Sequence, residues 1–336
     1  MFSLWSSTNI FLMRHSALVL TYNRLDSALK ICKQLTEYGV SSIFVSIDGG
    51  KTNELKRNQE KFISSLHSLS IESQTQISIR HSRENLGVSA GVISGVDWFF
   101  EKVDSGYIFE DDLVFSGDFL DFADMGLEFF CNDESVWVIS GNQYLNSDSN
   151  WSNYPLIWGW ATWNTKWVEF RSHLLGPKLS FSPQSTRFRV KQFWEIGFAR
   201  AINGRLDSWA VPYASQMLSR QKLCLLPPVN LVSNIGVDDY ASHTQKSAWH
   251  TGWNLGDLRN FPNFSDNWYR DSKLRICSRQ NRLLEREIYR IRFRHVFIKI
   301  YSRLLDSYRF ERRSGLLSRL SESANNLTDY YFYNPN

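Results

Sequence analysis

The chain has 336 residues, of which 43% are hydrophobic, and this is enough to bury a sizeable core in one large domain or two unequal ones. Its 38 basic and 34 acidic residues leave a formal net charge of only +4, so we expect no nucleic-acid partner. Aromatic residues make up 15% of the chain, and 13 residues are tryptophan. Aromatic rings can stack on sugars, but filling the core is their more common use.

The cysteines and the N-terminal segment indicate the cellular compartment in which the protein is expected. Cys32, Cys131, Cys224 and Cys277 lie far apart and lack the spacing of a zinc site, so we interpret them as reduced, mostly buried thiols. The N-terminal segment over 1–16 is too interrupted by polar residues to be a membrane span or a good signal peptide. No other stretch is apolar over the length that crosses a bilayer. We therefore expect a cytoplasmic protein that is soluble or peripheral.

The first half of the chain alternates apolar runs with helical patterns. In chain order the predicted elements are a strand over 17–21, a helix over 25–38, a strand over 42–47, a helix over 52–69, a strand over 76–80, a helix over 89–100 and a strand over 106–109. Gly39 follows the first helix and is typical of a helix stop. This alternation predicts an α/β fold with a mostly parallel sheet and helices on both faces.

The second half is less regular. Its predicted elements are a buried strand over 136–140, an aromatic-rich stretch over 158–163, helices over 187–203 and 207–219, and short extended segments over 223–226 and 230–233. From about 279 to 320 the chain is basic and amphipathic. This segment is either a peripheral membrane helix drawn to anionic lipid or a solvated helix with a core-facing stripe.

Polar residues stand directly after three of the predicted strands. Arg24 lies just after the first strand, Asp48 after the second, and Glu110, Asp111 and Asp112 after the fourth. In parallel α/β sheets, ligands bind in the crevice at the carboxyl ends of the strands. We therefore expect these residues to converge on one crevice.

The acidic cluster after the fourth strand indicates a cation. Adjacent carboxylates such as Glu110, Asp111 and Asp112 repel one another, and a divalent ion would neutralise them. Mg²⁺ and Mn²⁺ prefer carboxylate oxygen, and such an ion could bridge a diphosphate and stabilise a leaving group. The alternative is a solvated acidic turn that caps the next helix.

Two loops are candidates for binding a nucleotide. In SIDGG, Asp48 could accept hydrogen bonds from a base or ribose, and the glycines would allow a ligand to approach the backbone closely. The alternative is a simple Asp-Gly turn. Asn85 begins an NLG stretch whose backbone N–H groups could lie near the nucleotide, or which is an ordinary helix N-terminus.

Two residues further along the chain are candidates for catalysis. Asp207, in RLDSW, could deprotonate an attacking hydroxyl, or it could be the N-cap of the helix predicted to follow. His243 could ligate the metal or contact the diphosphate, but a lone histidine is more often a structural hydrogen-bonding residue.

Eight short stretches follow one another between about residues 17 and 245. They are LTYNR (20–24), SIDGG (46–50), ENLGVSAGV (84–92), YIFEDDL (107–113), VISGN (138–142), IWGWATW (157–163), RLDSW (205–209) and NLVSNIG (230–236). In this order they resemble the bacterial nucleotide-diphospho-sugar transferases of the GT-A superfamily. They are more distantly similar to the eukaryotic N-acetylglucosaminyltransferase that begins complex N-glycans. EDD followed by WGWATW and LVSNIG is the more specific part of the pattern.

The resemblance implies an inverting glycosyltransferase that uses Mn²⁺ or Mg²⁺ and a UDP-sugar. It implies a Rossmann-like GT-A domain over 17–255, with a nucleotide-binding half over 17–113 and an acceptor half over 114–255. A basic, mostly helical extension over 256–336 lies outside the resemblance. Asp112 would ligate the metal and Asp207 would be the catalytic base. The residues implied in donor binding are Thr21, Arg24, Asp48, Asn85, Glu110 and Asp111.

Within that set, the resemblance assigns parts of the donor. Asp111 and Glu110 would contact the ribose and the sugar. Asp48 and Arg24 would contact the region of the base, which is usually uridine. Val88–Ser89 follow the NLG stretch where bacterial relatives often carry basic residues, which weakens the case for direct phosphate binding by that loop.

Three functions compete at this point. The first is a glycosyltransferase of surface polysaccharide or glycoconjugate assembly, whose acceptor is a glycan or a lipid-linked glycan; a lipid-linked acceptor would give the basic segment a purpose at the membrane. The second is a sugar nucleotidylyltransferase, but LTYNRLDSA lacks the glycine-rich loop that normally follows the first strand in that class. The third is a catalytically degenerate sugar- or nucleotide-binding module, against which the acidic cluster and Asp207 argue.

Overall fold

A computed structural model of the chain describes residues 14–144, 150–174, 179, 181, 187–236, 254–261, 281–282, 284–289 and 291. Its strands are β1 (Ser16–Thr21), β2 (Ser42–Ile47), β3 (Gln76–His81), β4 (Ser105–Glu110), β5 (Leu113–Phe115), β6 (Val136–Ser140), β7 (Trp151–Ser152), β8 (Trp160–Trp163), β9 (Leu223–Leu225) and β10 (Val232–Asn234). Its α-helices are α1 (Leu25–Glu37), α2 (Asn53–Ser73), α3 (Gly87–Phe100), α4 (Asp118–Phe129), α5 (Asn164–Ser172), α6 (Phe188–Ile202) and α7 (Ala210–Ser219).

A single large sheet organises the described part of the chain. Its eight strands follow the order β3-β2-β1-β4-β8-β6-β9-β7. The first four are parallel, and β6 and β9 share their direction, whereas β8 and β7 run the other way. The small pair β5–β10 lies apart from this sheet and is antiparallel. The predicted α/β fold with a mostly parallel sheet is therefore confirmed.

The sheet is covered on both faces, and strand β1 shows why. Ala17 and Val19 belong to one buried apolar cluster, whereas Leu18 and Leu20 belong to the other. Successive side chains of a strand point to opposite faces, so a strand buried on both faces reads as one continuous apolar run. Helices α1, α2 and α4 contribute buried residues to the first cluster, and α3, α5, α6 and α7 to the second.

Local sequence signals account for the ends of the early helices. Helix α1 is followed by Gly39 with φ +70°, a conformation that favours glycine. The Thr52 hydroxyl accepts a hydrogen bond of 3.1 Å from Leu55 N–H and caps α2. Gly95 lets α3 lie against the sheet, because a Cβ atom there would be 2.5 Å from Leu20 Cδ2. These helices therefore begin and pack close to where the sequence places them.

Most of the described tryptophans fill the core, which is the more common of the two uses considered above. Those under 2% exposed are Trp137, Trp151, Trp160, Trp167 and Trp194. Trp160 also stacks on Trp209 with ring centroids 5.7 Å apart. Of the cysteines, Cys32 and Cys224 are buried and Cys131 is exposed, whereas Cys277 lies outside the described residues.

Three short strands and two helices were not predicted, and one predicted helix begins late. The strands are β5, β7 and β8 and the helices are α4 and α5. Helix α4 carries buried apolar residues at helical spacing, among them Phe119, Phe122 and Ala123, a signal that predicts a helix. Helix α7 begins at Ala210 and not at Asp207, and Ser208 Oγ accepts a hydrogen bond of 3.3 Å from Val211 N–H at its start.

Only a small part of the basic C-terminal segment lies within the described residues. A short π-helix covers Leu284–Ile288. Leu284 and Ile291 are buried in the second apolar cluster, and the Tyr154 hydroxyl donates a hydrogen bond of 3.0 Å to Glu285. This part of the extension therefore packs against the sheet domain. Within the described residues, no helix combines the length and the apolar character needed to cross a bilayer.

Candidate active site

A cavity of about 400 Å³ opens at the carboxyl ends of the parallel strands. The site residues that the resemblance implies all line it, namely Thr21, Arg24, Asp48, Asn85, Glu110, Asp111, Asp112 and Asp207. Their convergence follows from the pairing, since β1 lies between β2 and β4, with Thr21 beside Ile47 and Leu20 beside Glu110. His243 lies outside the described residues.

Asp111 joins the loop after β1 to the end of β4. Its Oδ2 atom accepts a hydrogen bond of 2.8 Å from the Thr21 hydroxyl and one of 3.0 Å from the Tyr22 N–H. Both of these bonds go to the same oxygen of the carboxylate. The Thr21 hydroxyl is committed to Asp111, and this residue contributes to the cavity by fixing its wall.

Asp112 combines an ion pair with a buried, unsatisfied oxygen. Its Oδ2 lies 3.6 Å from Arg24 Nη1, and its side chain is 17% exposed. Its Oδ1 is buried and accepts no hydrogen bond from the described residues. Burial, followed by the charge of Asp111, raises the pKa of Asp112 to about 6, although Arg24 and a hydrogen bond from Asn234 act in the opposite direction. A buried carboxylate oxygen without a partner is costly unless a ligand or cation satisfies it.

The pKa of Glu110, the last residue of β4, is raised as well. Burial is the largest cause that raises its pKa to about 8, and the charges of Asp112 and Asp111 act in the same direction. Ionisation of both Glu110 and Asp112 is therefore disfavoured in this buried cluster. A cation in the cavity would reverse that preference.

The carboxylates of the cavity suit a hard divalent cation, but they do not complete its coordination on their own. Carboxylate oxygens are the ligands that Mg²⁺ and Mn²⁺ favour, and Asp112 Oδ1 is unsatisfied. In the part of the chain that the structure describes, no three His, Cys, Asp or Glu side chains are arranged to ligate one ion. A cation bound here would therefore take its remaining ligands from water and from phosphate oxygens, as Mg²⁺ does when it binds with nucleotides.

Asp48 organises the start of α3. Its carboxylate accepts hydrogen bonds from the N–H groups of Gly49 (2.9 Å), Leu86 (2.8 Å) and Gly87 (3.2 Å). A further bond of 2.9 Å comes from the Asn85 side-chain amide. These four bonds match the roughly four lone-pair sites of a carboxylate, so Asp48 and Asn85 are engaged mainly with each other and with the backbone.

The glycine beside Asp48 is needed for contact with the protein itself. A Cβ atom on Gly49 would lie 2.4 Å from the backbone carbon of Glu84, a distance that a side chain does not reach without moving backbone. The sequence left open whether this glycine allows a ligand to approach closely or only forms a turn. The structure instead shows a close approach between two loops that line the cavity.

Asp207 caps a helix, but not the one that follows it. Its carboxylate accepts hydrogen bonds from the N–H groups of Val88 (3.1 Å) and Ser89 (2.8 Å), in the first turn of α3. Gly87, with φ +80°, leaves room for it, because a Cβ atom there would be 3.0 Å from Asp207 Oδ2. The N-cap interpretation of Asp207 was therefore wrong about the helix, since Asp207 caps α3 and not α7.

Among the other residues that line the cavity and had no assigned role are Lys51, Trp158, Asn234 and Gly236. Strand β10 brings the last two to the acidic cluster, because it pairs with β5 and Ile235 N–H donates a hydrogen bond of 2.8 Å to Asp112 O. A Cβ atom on Gly236 would lie 2.4 Å from Asp112 Oδ2. The NLVSNIG stretch carries this signal, but its contact with Asp112 depends on tertiary pairing.

Comparison with known proteins leaves the family open. No family model matches the chain, and no curated protein matches it. Among solved structures, HddC from Yersinia pseudotuberculosis aligns with a TM-score of 0.25 and 15% identity, over 34% of this chain and 55% of that one. UDP-glucose pyrophosphorylase complexed with UDP-glucose aligns with a TM-score of 0.33 and 8% identity, over 64% and 90%. The apo form of UDP-glucose pyrophosphorylase aligns with a TM-score of 0.34 and 8% identity, over 66% and 93%.

Proposed function

We propose that this chain is a metal-dependent glycosyltransferase that moves a sugar from a nucleotide-diphospho-sugar, a UDP-sugar, to a hydroxyl group of a glycan acceptor. The observation that carries the proposal is the shared cavity of Asp112 and Asp207, with the buried and unsatisfied Oδ1 of Asp112 at its acidic end. A polar cavity at the carboxyl ends of parallel strands suits a nucleotide ligand.

The nucleoside would lie over the carboxyl ends of β2 and β1. Lys51 and Arg24 line this part of the cavity and supply the positive charge that a diphosphate requires. Asp48 and Asn85 shape the same part through their bonds to the start of α3, and Asp111 with Glu110 would face the ribose and the sugar. The order of the strands thus orients the donor along the sheet edge.

A divalent cation would be held by Asp112 and by oxygens of the diphosphate. Bound there, it would supply charge stabilisation to the nucleoside diphosphate as that group leaves. Arg24, 3.6 Å from Asp112, orients the carboxylate and adds positive charge on the same side. These residues therefore bind and activate the leaving group without taking part in a covalent step.

Asp207 is the proposed base. The acceptor hydroxyl oxygen forms a bond to the anomeric carbon while the bond from that carbon to the diphosphate oxygen breaks, and the hydroxyl proton passes to the Asp207 carboxylate. The N–H groups of Val88 and Ser89 hold that carboxylate in the cavity that it shares with the acidic cluster. Attack from the side opposite the leaving group inverts the anomeric carbon.

The test is a screen of nucleotide sugars for Mn²⁺-dependent release of nucleoside diphosphate. The wild-type protein should release it with at least one donor, and EDTA should abolish release. Asp112→Asn should lower the rate by about a hundredfold or more, because several kcal/mol of charge stabilisation are lost. Asp97→Asn is the matched control, since Asp97 pairs with Arg171 at 3.0 Å and does not line the cavity.

The products released in this screen, and in a parallel assay with a sugar phosphate and a nucleoside triphosphate, separate the competing functions. A glycosyltransferase releases a nucleoside diphosphate, whereas a nucleotidylyltransferase given a sugar phosphate and a nucleoside triphosphate releases pyrophosphate. A degenerate module would bind a nucleotide sugar and release neither. Metal-independent release, or release that Asp112→Asn leaves unchanged, would refute the proposal.

A further inference from the structure

Helix α2 buries one polar side chain among apolar ones. Gln59 is 0% exposed, and the other buried residues of the helix are Phe62, Leu66 and Leu69. A buried amide is costly unless its donors and acceptors find partners. The surroundings of Gln59 therefore show what this position requires.

The Gln59 amide uses its full bonding capacity on two loops and on the last residue of β3. Its Nε2 donates to Tyr22 O at 2.9 Å and to Asp48 O at 2.8 Å. Its Oε1 accepts from Gly50 N–H at 3.0 Å and lies 3.1 Å from His81 Nε2. The three backbone partners determine the orientation of the amide, because the reversed amide would set its oxygen against two carbonyls. His81 Nε2 consequently carries the hydrogen in this contact.

The partners of Gln59 stand at the carboxyl ends of β1, β2 and β3. Tyr22 and Asp48 line the cavity, whereas Gln59 and Gly50 do not. Gly50 is tightly enclosed, since a Cβ atom there would be 3.0 Å from both Gln59 Oε1 and Lys56 N, and these atoms would have to shift to admit it. The Gln59 amide therefore sets the separation between the loops after β1 and β2, although it does not line the cavity itself.

We propose that Gln59 is a positioning residue for the nucleoside diphosphate part of the donor. It holds the loops after β1 and β2 at the separation that this ligand class requires, and so places the Asp48 carboxylate against α3. The Asp48-Gly49-Gly50 loop contains two glycines, which lose more conformational freedom on ordering than other residues. Ordering that loop before the ligand arrives removes this cost from binding. The role rests on the proposed function.

Two variants distinguish the hydrogen bonds that the Gln59 amide donates from those that it accepts. Gln59→Met keeps the length and removes every hydrogen bond, whereas Gln59→Glu keeps the acceptor side and removes the two donations to Tyr22 O and Asp48 O. Gln216→Met is the matched control, because Gln216 is 1% exposed, donates to Phe170 O and does not line the cavity. The melting temperature of each variant reports its folding.

The first measurement needs no ligand. Hydrogen exchange at Gly50 N–H should be about tenfold faster or more in Gln59→Met than in the wild type, because its acceptor is lost. In Gln216→Met the rate at Gly50 should equal that of the wild type. Equal exchange at Gly50 in Gln59→Met and the wild type would overturn the positioning role.

The second measurement is the dissociation constant for UDP with saturating Mg²⁺, repeated with ADP, GDP, CDP and dTDP. We expect both Gln59 variants to bind the preferred nucleotide about tenfold more weakly, and Gln216→Met to bind it as the wild type does. If the Met variant does not fold, the Glu variant decides, since it retains the bond to Gly50. Unchanged affinity in a folded Gln59 variant would overturn the inference about Gln59 alone. A wild-type protein that binds none of the five nucleotides would refute the proposed function, and the exchange measurement would still report on the loops.

Discussion

Asp207 Oδ1 accepts a hydrogen bond of 2.8 Å from the backbone N–H of Ser89, although 118 residues separate the two in the sequence. Asp48 accepts hydrogen bonds from the backbone N–H groups of Leu86 and Gly87, at the beginning of the same helix. Two carboxylates from distant parts of the chain therefore hold the start of α3. The positive end of the helix favours negative charge at this place. Movement of either carboxylate would change the shape of the cavity.

Substitution of Asp207 should separate its catalytic role from its structural one. Asp207→Asn keeps one of the two oxygens that accept from the α3 backbone, but the amide cannot take a proton, so transfer should fall by about 10²–10⁴-fold while UDP still binds. Asp207→Ala loses both bonds and should also lower the free energy of unfolding by about 1–2 kcal/mol, as removal of an N-cap does. Turnover, UDP titration and urea unfolding measure these effects. Loss of UDP binding in Asp207→Asn would show that Asp207 is not simply a base.

The acidic cluster should make the metal-free protein sensitive to pH. The folded-state pKa values of Asp112 and Glu110 are raised to about 6 and about 8, so their contribution to stability is present below the unfolded pKa near 4 and is lost as pH rises through 6 and 8. The melting temperature of the metal-free protein, measured from pH 5 to 8.5, should therefore fall more steeply in the wild type than in Asp112→Asn. Equal slopes would contradict this electrostatic coupling.

Metal affinity should depend on pH in the opposite direction. Deprotonated carboxylates are the ligands, so binding of Mn²⁺ should strengthen as pH rises from 6 to 8. Calorimetric titration at several pH values measures the change, and Asp112→Asn should abolish it. Affinity that does not vary with pH would place the ion away from these carboxylates.

A methyl group at Gly236 should disturb Asp112, which supplies the three atoms nearest to it. Its Cβ atom would lie 2.4 Å from Asp112 Oδ2 and 2.8 Å from Asp112 Cβ, so the carboxylate must move. We expect Gly236→Ala to weaken Mn²⁺ binding by about tenfold or more, because metal sites tolerate displacements of only tenths of an ångström. Calorimetry measures the affinity, and unchanged binding would show that Asp112 does not hold the ion.

Two glycine substitutions near Asp48 should have opposite effects on stability. Gly49→Ala places a methyl group 2.4 Å from the Glu84 backbone and should lower the free energy of unfolding by about 1–3 kcal/mol. Gly91→Ala lies inside α3, meets Asp48 Oδ2 at 3.6 Å, and should raise it by about 0.5–1 kcal/mol. Urea unfolding compares the two, and a neutral Gly49→Ala would contradict the close loop contact.

Much of the fold could be predicted because its signals are local. The apolar runs that become β1 and β2 are buried on both faces, and the patterns of α1 and α3 need only nearby residues to be recognised. The location of the cavity follows as well, because parallel neighbours end at the same edge of the sheet. The roles of the residues in it remain predictions that the experiments above address.

The sequence by itself determined which residues form the parallel strands and that acidic and amide side chains follow them. Only the tertiary structure decided that Asp207 contacts α3, that Asn234 and Gly236 reach Asp112, and that Gln59 joins the loops after β1 and β2. The physical reason is distance along the chain. Periodicity and turn chemistry depend on neighbours a few residues away, whereas these contacts exist only after the sheet has paired and its helices have packed.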